Sequence, residues 1–258
     1  EALCGSCGTC TKCCTVKTTM EHVVYTKAQT DLTTYVGQPH NLLPSTRLLS
    51  AEIETCGNLE SAKELNLTLH KWRCSVVGDG SLPGGGFEIN THPASGDQFV
   101  AMAWDIYSAF KSCRAWWDYH AGCHIHVDAR DYGYTDVAKL LKVYHRLENA
   151  FYQLIPRERR EWHYCQRCAE TYMAEIKKAE VGKAERNERL QMLQYRSHIL
   201  NALYGVSNPD KYFIKTAKLS KGTDRRYRGL NLHSWVHRGT VEFRFVGFQS
   251  TATDLINF

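Results

Sequence analysis

The segment GCHIHVD, residues 122–128, holds three side chains of the types that bind metal ions and phosphates. Side chains alternate between the two faces of a β-strand, so His124, His126 and Asp128 would share one face of a strand here. Imidazole and carboxylate groups on one face are typical of a metal site. An ordinary solvent-exposed strand has the same pattern, so the segment alone leaves both interpretations open.

Three further strand-like segments carry charged residues at the same alternate spacing. They are AEIET with Glu52 and Glu54, GFEIN with Glu88, and TVEFRF with Glu242 and Arg244. Any one of them could be a solvated face, because charged residues are seldom buried without partners. Carboxylates that meet on one sheet would repel one another unless cations compensate them, and oxygen ligands with an occasional imidazole suit Mg²⁺ or Mn²⁺. The four segments together therefore predict a divalent metal site.

Basic residues on and before the last of these segments indicate that the metal would bind together with phosphate groups. Mg²⁺ is usually bound together with substrate phosphates, and Arg244 and the run RRYR, which ends at Arg228, could neutralise phosphate charge. The pattern predicts nucleotide-dependent phosphoryl chemistry.

The elements that must position these residues alternate between strands and helices. RLLSAEIETC is predicted to be a strand and SAKELNLTLHKW a helix with Ala62, Leu65 and Leu69 near one face. YRGLNLHSWVHRGTVEFRF is predicted to form two strands joined by a turn at residues 237–239. Strands separated by single helices, with polar residues on one face of several strands, predict an α+β fold.

Length and composition predict one large domain with a small appended module. The 258 residues are 43% hydrophobic, and we expect a Cys-rich metal-binding leader at 1–45 and a catalytic domain at 46–258 with a helical insertion at about 157–222. No apolar run approaches the ~20 residues that span a bilayer, and no leader peptide is evident, which predicts a cytoplasmic protein without a membrane partner. The net charge of +5, from 32 basic and 27 acidic residues, fits an anionic ligand as well as nucleic acid.

The cysteines predict a second kind of metal site. There are eleven in all, an odd number, and five lie in CGSCGTCTKCC, which favours thiolate ligation in a reducing compartment over disulfides. Cys165 and Cys168 are either further donors or a pair of half-buried thiols. The ligands predicted for a structural Zn²⁺ are Cys4, Cys7, Cys10 and Cys13. An iron–sulfur cluster is the alternative, because the set with Cys14 as the fourth ligand instead of Cys13 has a spacing used for such clusters.

The chain resembles the amidoligases, within the glutamine synthetase-like carboxylate–amine ligase superfamily, and the resemblance covers about residues 47–258. It is carried by an ordered set of fragments: SAEIE, DGSLPGGGFEI, GCHIHVD, YC, LNLHSW and TVEFRF. This resemblance implies an antiparallel sheet that forms a funnel flanked by helices. It implies that acidic and histidine side chains in the funnel hold Mg²⁺ ions around ATP. A carboxylate would be converted to an acyl phosphate, which an amine then attacks to give an amide.

The resemblance also implies a role for each residue that matches its motifs. Glu54 and Glu88 would hold one metal, and Glu52, His124 and Glu242 another. His126 would contact the nucleotide phosphates, and Arg244 the transferred phosphoryl group. Asn231 would lie near the nucleotide, and Asp79 and Ser81, in DGSL, at the substrate mouth. Thr240 stands where the superfamily often has a further arginine, so Arg228 or Arg238 would have to replace that charge.

Three other functions are compatible with parts of the sequence. The fold could persist without activity, as a nucleotide-binding or assembly protein. A zinc hydrolase could use His124, His126 and Asp128, although the paired glutamates would then have no role. Nucleic-acid binding would rest on the Cys-rich segment and the mild positive charge. For the ligase, the substrates could be small-molecule, peptide or protein carboxylates and amines.

Overall fold

A computed structural model describes residues 47–82, 86–181, 187–210 and 227–257. The predicted Cys-rich leader at 1–45, with its zinc or iron–sulfur ligands, lies outside the described residues and stays a prediction. The domain boundaries and the cytoplasmic location also stay predictions. Within the part of the chain that the structure describes, no helix has the length and apolar character needed to cross a bilayer.

The described elements are strands and helices, but they do not strictly alternate, because two of the strands follow each other directly and four helices follow one another in the second half of the chain. The strands are β1 (Leu49–Thr55), β2 (Ser75–Gly78), β3 (Phe87–Asn90), β4 (Cys123–Asp128), β5 (Leu230–Asn231) and β6 (Thr240–Phe243). The helices are α1 (Leu59–Thr68), α2 (Gly96–Ser112), α3 (Tyr134–Gln153), α4 (Arg157–Arg160), α5 (Ala169–Val181), α6 (Glu188–Tyr204), α7 (His233–Arg238) and α8 (Ala252–Asn257). Short 3-10 turns at Leu69–Trp72 and His163–Cys165 complete the set. Helices mixed with antiparallel strands confirm the predicted α+β class.

The chain divides into two compact units. The first unit contains the described residues up to Asp128 and those from Val246 on, and the second unit contains the described residues from Ala129 to Phe245. In the first unit the strands are antiparallel in the order β2-β3-β1-β4. The second unit contains the antiparallel pair β5 and β6.

The first unit is built around the alternation of β1. Ile53 is fully buried, and its register partners are Ile89 on β3 and Cys123 on β4. The glutamates on either side of Ile53 therefore project to the opposite face of the sheet. Helix α1 packs beside β2 and buries Ala62 and Leu65, as the 3.6-residue spacing predicts.

The second unit packs α3, α5 and α6 against one another. Glu148 on α3 is buried and accepts hydrogen bonds from the backbone N–H groups of Cys168 and Ala169, at 2.9 and 3.1 Å. These groups lie at the start of α5, where a carboxylate satisfies helix N–H donors that have no intrahelical partner. Helices α4, α5 and α6 fall inside the stretch predicted as a helical insertion.

The sequence prediction was wrong between β5 and β6. The residues after Asn231 form helix α7, where we predicted a strand that runs to the turn at residues 237–239. The helix has a local cause, since the Asn231 Oδ1 atom accepts the His233 N–H at 2.9 Å and Gly239 ends the helix with a φ of +79°. A side-chain acceptor near the first turn and a left-handed glycine after the last are ordinary helix boundaries.

Candidate active site

The strand register of the first unit brings together four of the predicted site residues. Glu54 on β1 lies opposite Glu88 on β3, and Glu52 lies opposite His124 on β4. Like charges that face each other on neighbouring strands are destabilising, so this pairing needs a compensating positive charge. The predicted convergence of β1, β3 and β4 is therefore present in the geometry of this unit.

Glu52 lies between two histidines. Its Oε2 atom is 3.2 Å from His124 Nδ1, and its Oε1 atom is 3.3 Å from His126 Nε2. Both imidazoles are buried. Burial alone would raise the pKa of Glu52, but the charge of His126 and the hydrogen bonds and charge of the two histidines outweigh it and hold this pKa well below its usual range.

Glu54 is fixed by the chain that leads into β4. Its Oε2 atom accepts the Gly122 N–H at 2.6 Å, and its Oε1 atom is 3.4 Å from His124 Nε2. Cys123, which lies between these two contacts in the chain, is fully buried among core residues. Glu54 is thus placed by a short backbone hydrogen bond that leaves its carboxylate on the same face as Glu52.

Glu88 has the opposite electrostatic surroundings to Glu52. Burial, followed by the charges of Glu52, Glu54 and Asp79, raises the pKa of Glu88 well above its usual range. The Asn90 amide donates a hydrogen bond to Glu88 Oε1 at 2.8 Å and only partly offsets this. A cation at this position would relieve the repulsion, as Mg²⁺ or Mn²⁺ does among carboxylate ligands.

Asp79 is a member of the acidic group that the sequence did not predict as a metal ligand. Its Oδ1 atom accepts hydrogen bonds at 2.8 Å from both the backbone N–H and the hydroxyl of Ser81. Ligand atoms of Glu54, Asp79 and Glu88 lie within 4.8 Å of one another, and so do those of Glu52, Glu88 and His124. The sequence signal that could have identified Asp79 is its position at the entry to the glycine-rich turn before Glu88.

The donor chemistry of the two groups fits a hard divalent cation. The first supplies three carboxylates and the second two carboxylates and an imidazole, a set suited to Mg²⁺ or Mn²⁺. Asp128 joins no such group among the described residues, so the His124, His126 and Asp128 arrangement of the hydrolase alternative is not supported.

Glu242, in the second unit, is surrounded by hydrogen-bond donors. It is buried on β6 and lies opposite Asn231 on β5. The Asn231 amide and the Ser234 hydroxyl donate to Glu242 Oε2 at 2.8 and 2.5 Å, and Arg244 Nη1 is 2.6 Å from Glu242 Oε1. This gives Asn231 a definite contact and adds Ser234, which lies within LNLHSW but has no signal of its own in the sequence. The role of Glu242 as a metal ligand stays a prediction.

Arg244 is held in the second unit by contacts to its side chain and its backbone. Its Nε atom donates to the Tyr164 carbonyl at 3.4 Å, and its backbone N–H donates to the Gly229 carbonyl at 2.8 Å. Its guanidinium also lies 6.0 Å from the centre of the Tyr227 ring. The YC fragment therefore contributes to this region through the Tyr164 carbonyl.

Arg228, the other predicted phosphate ligand, is half-buried with its guanidinium 5.8 Å from the Tyr172 ring centre. The part of RRYR before Tyr227 lies outside the described residues. Nucleotide binding by Arg228, Asn231, His126 and Arg244 stays a prediction.

Cys165 and Cys168, for which the sequence left metal donors and half-buried thiols as alternatives, are buried free thiols. The Cys165 thiol donates to the Arg159 carbonyl at 2.8 Å, and the Cys168 thiol lies 3.7 Å from the Leu230 carbonyl. Burial and the charge of Glu148 raise the pKa of Cys168, which opposes the thiolate form that a metal requires. The described contacts of these two cysteines are those of packed thiols.

Comparison with known protein families identifies the family of the chain. A family model described as "Putative amidoligase enzyme" matches residues 87–253, which is more than half of the 258 residues. The matched span contains β3, β4 and β6, and it begins after β1. No curated protein and no solved structure matches the chain.

Proposed function

The chain belongs to the amidoligase family, and on that premise we propose that it is an ATP- and Mg²⁺-dependent ligase that joins a carboxylate to an amine. The observation that carries this proposal is the acidic group of the first unit, in which Glu54 faces Glu88 on the neighbouring strand with Asp79 close by. Such a group suits an enzyme that handles a metal-bound triphosphate. A glutamine synthetase-like funnel is part of the proposal.

The first unit supplies the residues that would hold Mg²⁺. Glu54, Asp79 and Glu88 would bind one ion, and Glu52, Glu88 and His124 are the donors for another. When bound, Mg²⁺ offsets the charge of the ATP phosphates and of the transferred phosphoryl group. His126, the histidine that flanks Glu52 on the other side from His124, is the proposed contact to the nucleotide phosphates.

The proposed reaction has two steps. A substrate carboxylate oxygen attacks the γ-phosphorus of ATP, the bond to the β,γ-bridging oxygen breaks, and ADP leaves. The amine nitrogen then attacks the carbonyl carbon of the acyl phosphate, loses a proton, and phosphate leaves as the amide forms. The protein contributes position and fixed charge, and no nucleophilic side chain is needed.

In this proposal Arg244 stabilises the negative charge of the transferred phosphoryl group. Glu242 accepts from Arg244 Nη1 and keeps the guanidinium in one orientation, while Asn231 and Ser234 hold Glu242. A guanidinium whose direction is fixed before the reaction stabilises developing charge without a reorganisation cost. Glu242 and Arg244 thus act together.

The experiment uses the full chain with ATP, Mg²⁺, a pool of carboxylates and hydroxylamine, which converts an acyl phosphate to a hydroxamate. We expect ADP and hydroxamate to form only with Mg²⁺ present. Glu54→Gln should lower both by about 100-fold or more, the usual effect of removing one group that stabilises transition-state charge. Glu60→Gln, which changes an exposed glutamate on α1, is the matched control and should retain full activity. A folded Glu54→Gln variant that forms hydroxamate at the wild-type rate would overturn the proposal.

A further inference from the structure

Arg159 is a buried arginine in the second unit. It belongs to the run RERR of α4, where Arg157 is exposed and Arg160 is half-buried, but Arg159 itself is only 2% exposed. Burial of a guanidinium is unfavourable unless its N–H donors are used in hydrogen bonds. A basic run on a short helix would ordinarily be a solvated face, so the burial of this one side chain needs an explanation.

The Arg159 side chain contacts the backbone of a proposed active-site residue. Its Nη2 atom donates to the Arg244 carbonyl at 3.3 Å. The Arg244 backbone N–H is already bound to the Gly229 carbonyl, so both polar backbone groups of Arg244 are held. This fixes the peptide from which the Arg244 side chain extends.

The Arg159 backbone contacts the segment that binds the other end of the Arg244 side chain. Its carbonyl accepts the Trp162 N–H at 3.2 Å and the Cys165 thiol at 2.8 Å, so it binds both ends of the turn at His163–Cys165, which the Cys165 N–H closes onto the Trp162 carbonyl. Tyr164 lies in this turn, and its carbonyl accepts the Arg244 Nε–H. Arg159 therefore contacts the Arg244 carbonyl directly through its guanidinium, and it reaches the Arg244 Nε atom only indirectly, through the turn that carries Tyr164.

We infer that Arg159 is a positioning residue that acts through Arg244 and contacts no substrate. This inference rests on the proposed role of Arg244 in phosphoryl transfer. Loss of the Arg159 guanidinium releases the Arg244 carbonyl and lets the Arg244 side chain move away from its productive direction. Small displacements of a positioned group lower the rate of the chemical step more than they weaken binding.

A double-mutant cycle tests the inference, because it measures whether two residues act through each other. The variants are Arg159→Met, Arg244→Met and the double variant, with Arg157→Met on the same helix as the control. We expect Arg159→Met to lower kcat for Mg²⁺-dependent ADP formation by roughly 10- to 100-fold with little change in the KM for ATP. In the Arg244→Met background the same change should lower kcat less than twofold. Arg157→Met should match the wild type.

Three other outcomes show whether the inference about Arg159 or the proposed function of Arg244 has failed. If Arg159→Met lowers kcat by the same factor with and without Arg244, its role is only structural and the inference is wrong. If Arg244→Met lowers activity but Arg159→Met does not, the inference fails while the proposed function stands. If Arg244→Met leaves Mg²⁺-dependent ADP formation unchanged, the proposed role of Arg244 is wrong, and the inference about Arg159 that rests on it is wrong as well.

A second variant keeps the inference testable if Arg159→Met does not fold. Urea unfolding of each variant shows whether it is folded. Arg159→Lys keeps the positive charge and one donor but not the planar fork of the guanidinium. We expect it to recover part of kcat relative to Arg159→Met and to show the same dependence on Arg244. An Arg159→Lys effect that is independent of Arg244 would overturn the inference without use of the Met variant.

Discussion

The two units surround their glutamates in opposite ways. In the first unit, Glu88 lies opposite Glu54, and burial together with the neighbouring carboxylates raises its pKa. In the second unit, Glu242 is also on a strand and is more deeply buried, but fixed donors from Asn231, Ser234 and Arg244 neutralise it. The same residue type thus serves two purposes, as a member of an anionic group suited to a cation and as an anchor that orients an arginine.

The largest effect should come from breaking the donor-rich environment of the second unit. Glu242→Gln keeps the side-chain volume but removes the charge that pairs with Arg244, so we expect the free energy of unfolding to fall by about 3 kcal/mol, the usual result of removing one partner of a buried ion pair. Urea unfolding at pH 7 with a chelator present measures this. Glu161→Gln, which changes an exposed glutamate of the same unit, should stay within about 0.5 kcal/mol of the wild type. A loss below about 1 kcal/mol for Glu242→Gln would show that the donors do not depend on its charge.

The next largest effect is the increase in the free energy of unfolding that a divalent cation bound in the first unit should cause. A ligand that binds only the folded state at 100 times its Kd adds about 2.7 kcal/mol to the free energy of unfolding. We therefore expect saturating Mg²⁺ or Mn²⁺ to stabilise the wild type and the Glu60→Gln control by about 2–3 kcal/mol. Glu54→Gln should lose most of this gain, and urea unfolding over a series of metal concentrations measures it. An equal gain in Glu54→Gln would place the cation elsewhere and remove the acidic group from the proposal.

Much of the first unit could be predicted from local pattern. The period-2 alternation of AEIET and GCHIHVD places Glu52 with Glu54, and His124 with His126, on shared strand faces, and the structure confirms β1 and β4. The pairing of Glu54 with Glu88 could not be read from either strand alone, because strand order and register depend on contacts between distant segments. The ordered motifs supplied that information through the family resemblance.

The second unit shows why the remainder could not be predicted. RERR contains three arginines with equivalent local surroundings, and only tertiary packing distinguishes the buried Arg159 from its exposed neighbour Arg157. Helix α7 was missed because its apolar residues also fit a strand, and its boundaries depend on the Asn231 side chain and Gly239. Ser234 has no sequence signal because its role follows from the placement of that helix beside β6.

The smallest expected effect is on the pH dependence of the free energy of unfolding, to which two glutamates of the first unit contribute with opposite signs. The folded-state pKa of Glu88 is raised, so its contribution to stability is present below the unfolded carboxyl pKa and is lost as the pH rises through the folded value. The pKa of Glu52 is held low by the two histidines, so its contribution is present above the unfolded pKa and is lost as the pH falls through the folded value. Glu52 and Glu88, whose ligand atoms lie in one group with those of His124, should therefore respond to pH in opposite directions.

Neutral variants of the two glutamates measure this difference. At pH 7 and without divalent metal, Glu88→Gln should raise the free energy of unfolding by roughly 1 kcal/mol, because it removes the repelled charge and keeps an acceptor for Asn90. Its advantage over the wild type should shrink as the pH falls towards the unfolded carboxyl pKa, and added Mg²⁺ should reverse it, since the variant has lost a ligand. Glu52→Gln should instead destabilise the metal-free protein at pH 7. If Glu88→Gln also destabilises it, the carboxylates of the first unit are already compensated by protein groups, and the contrast with Glu242 disappears.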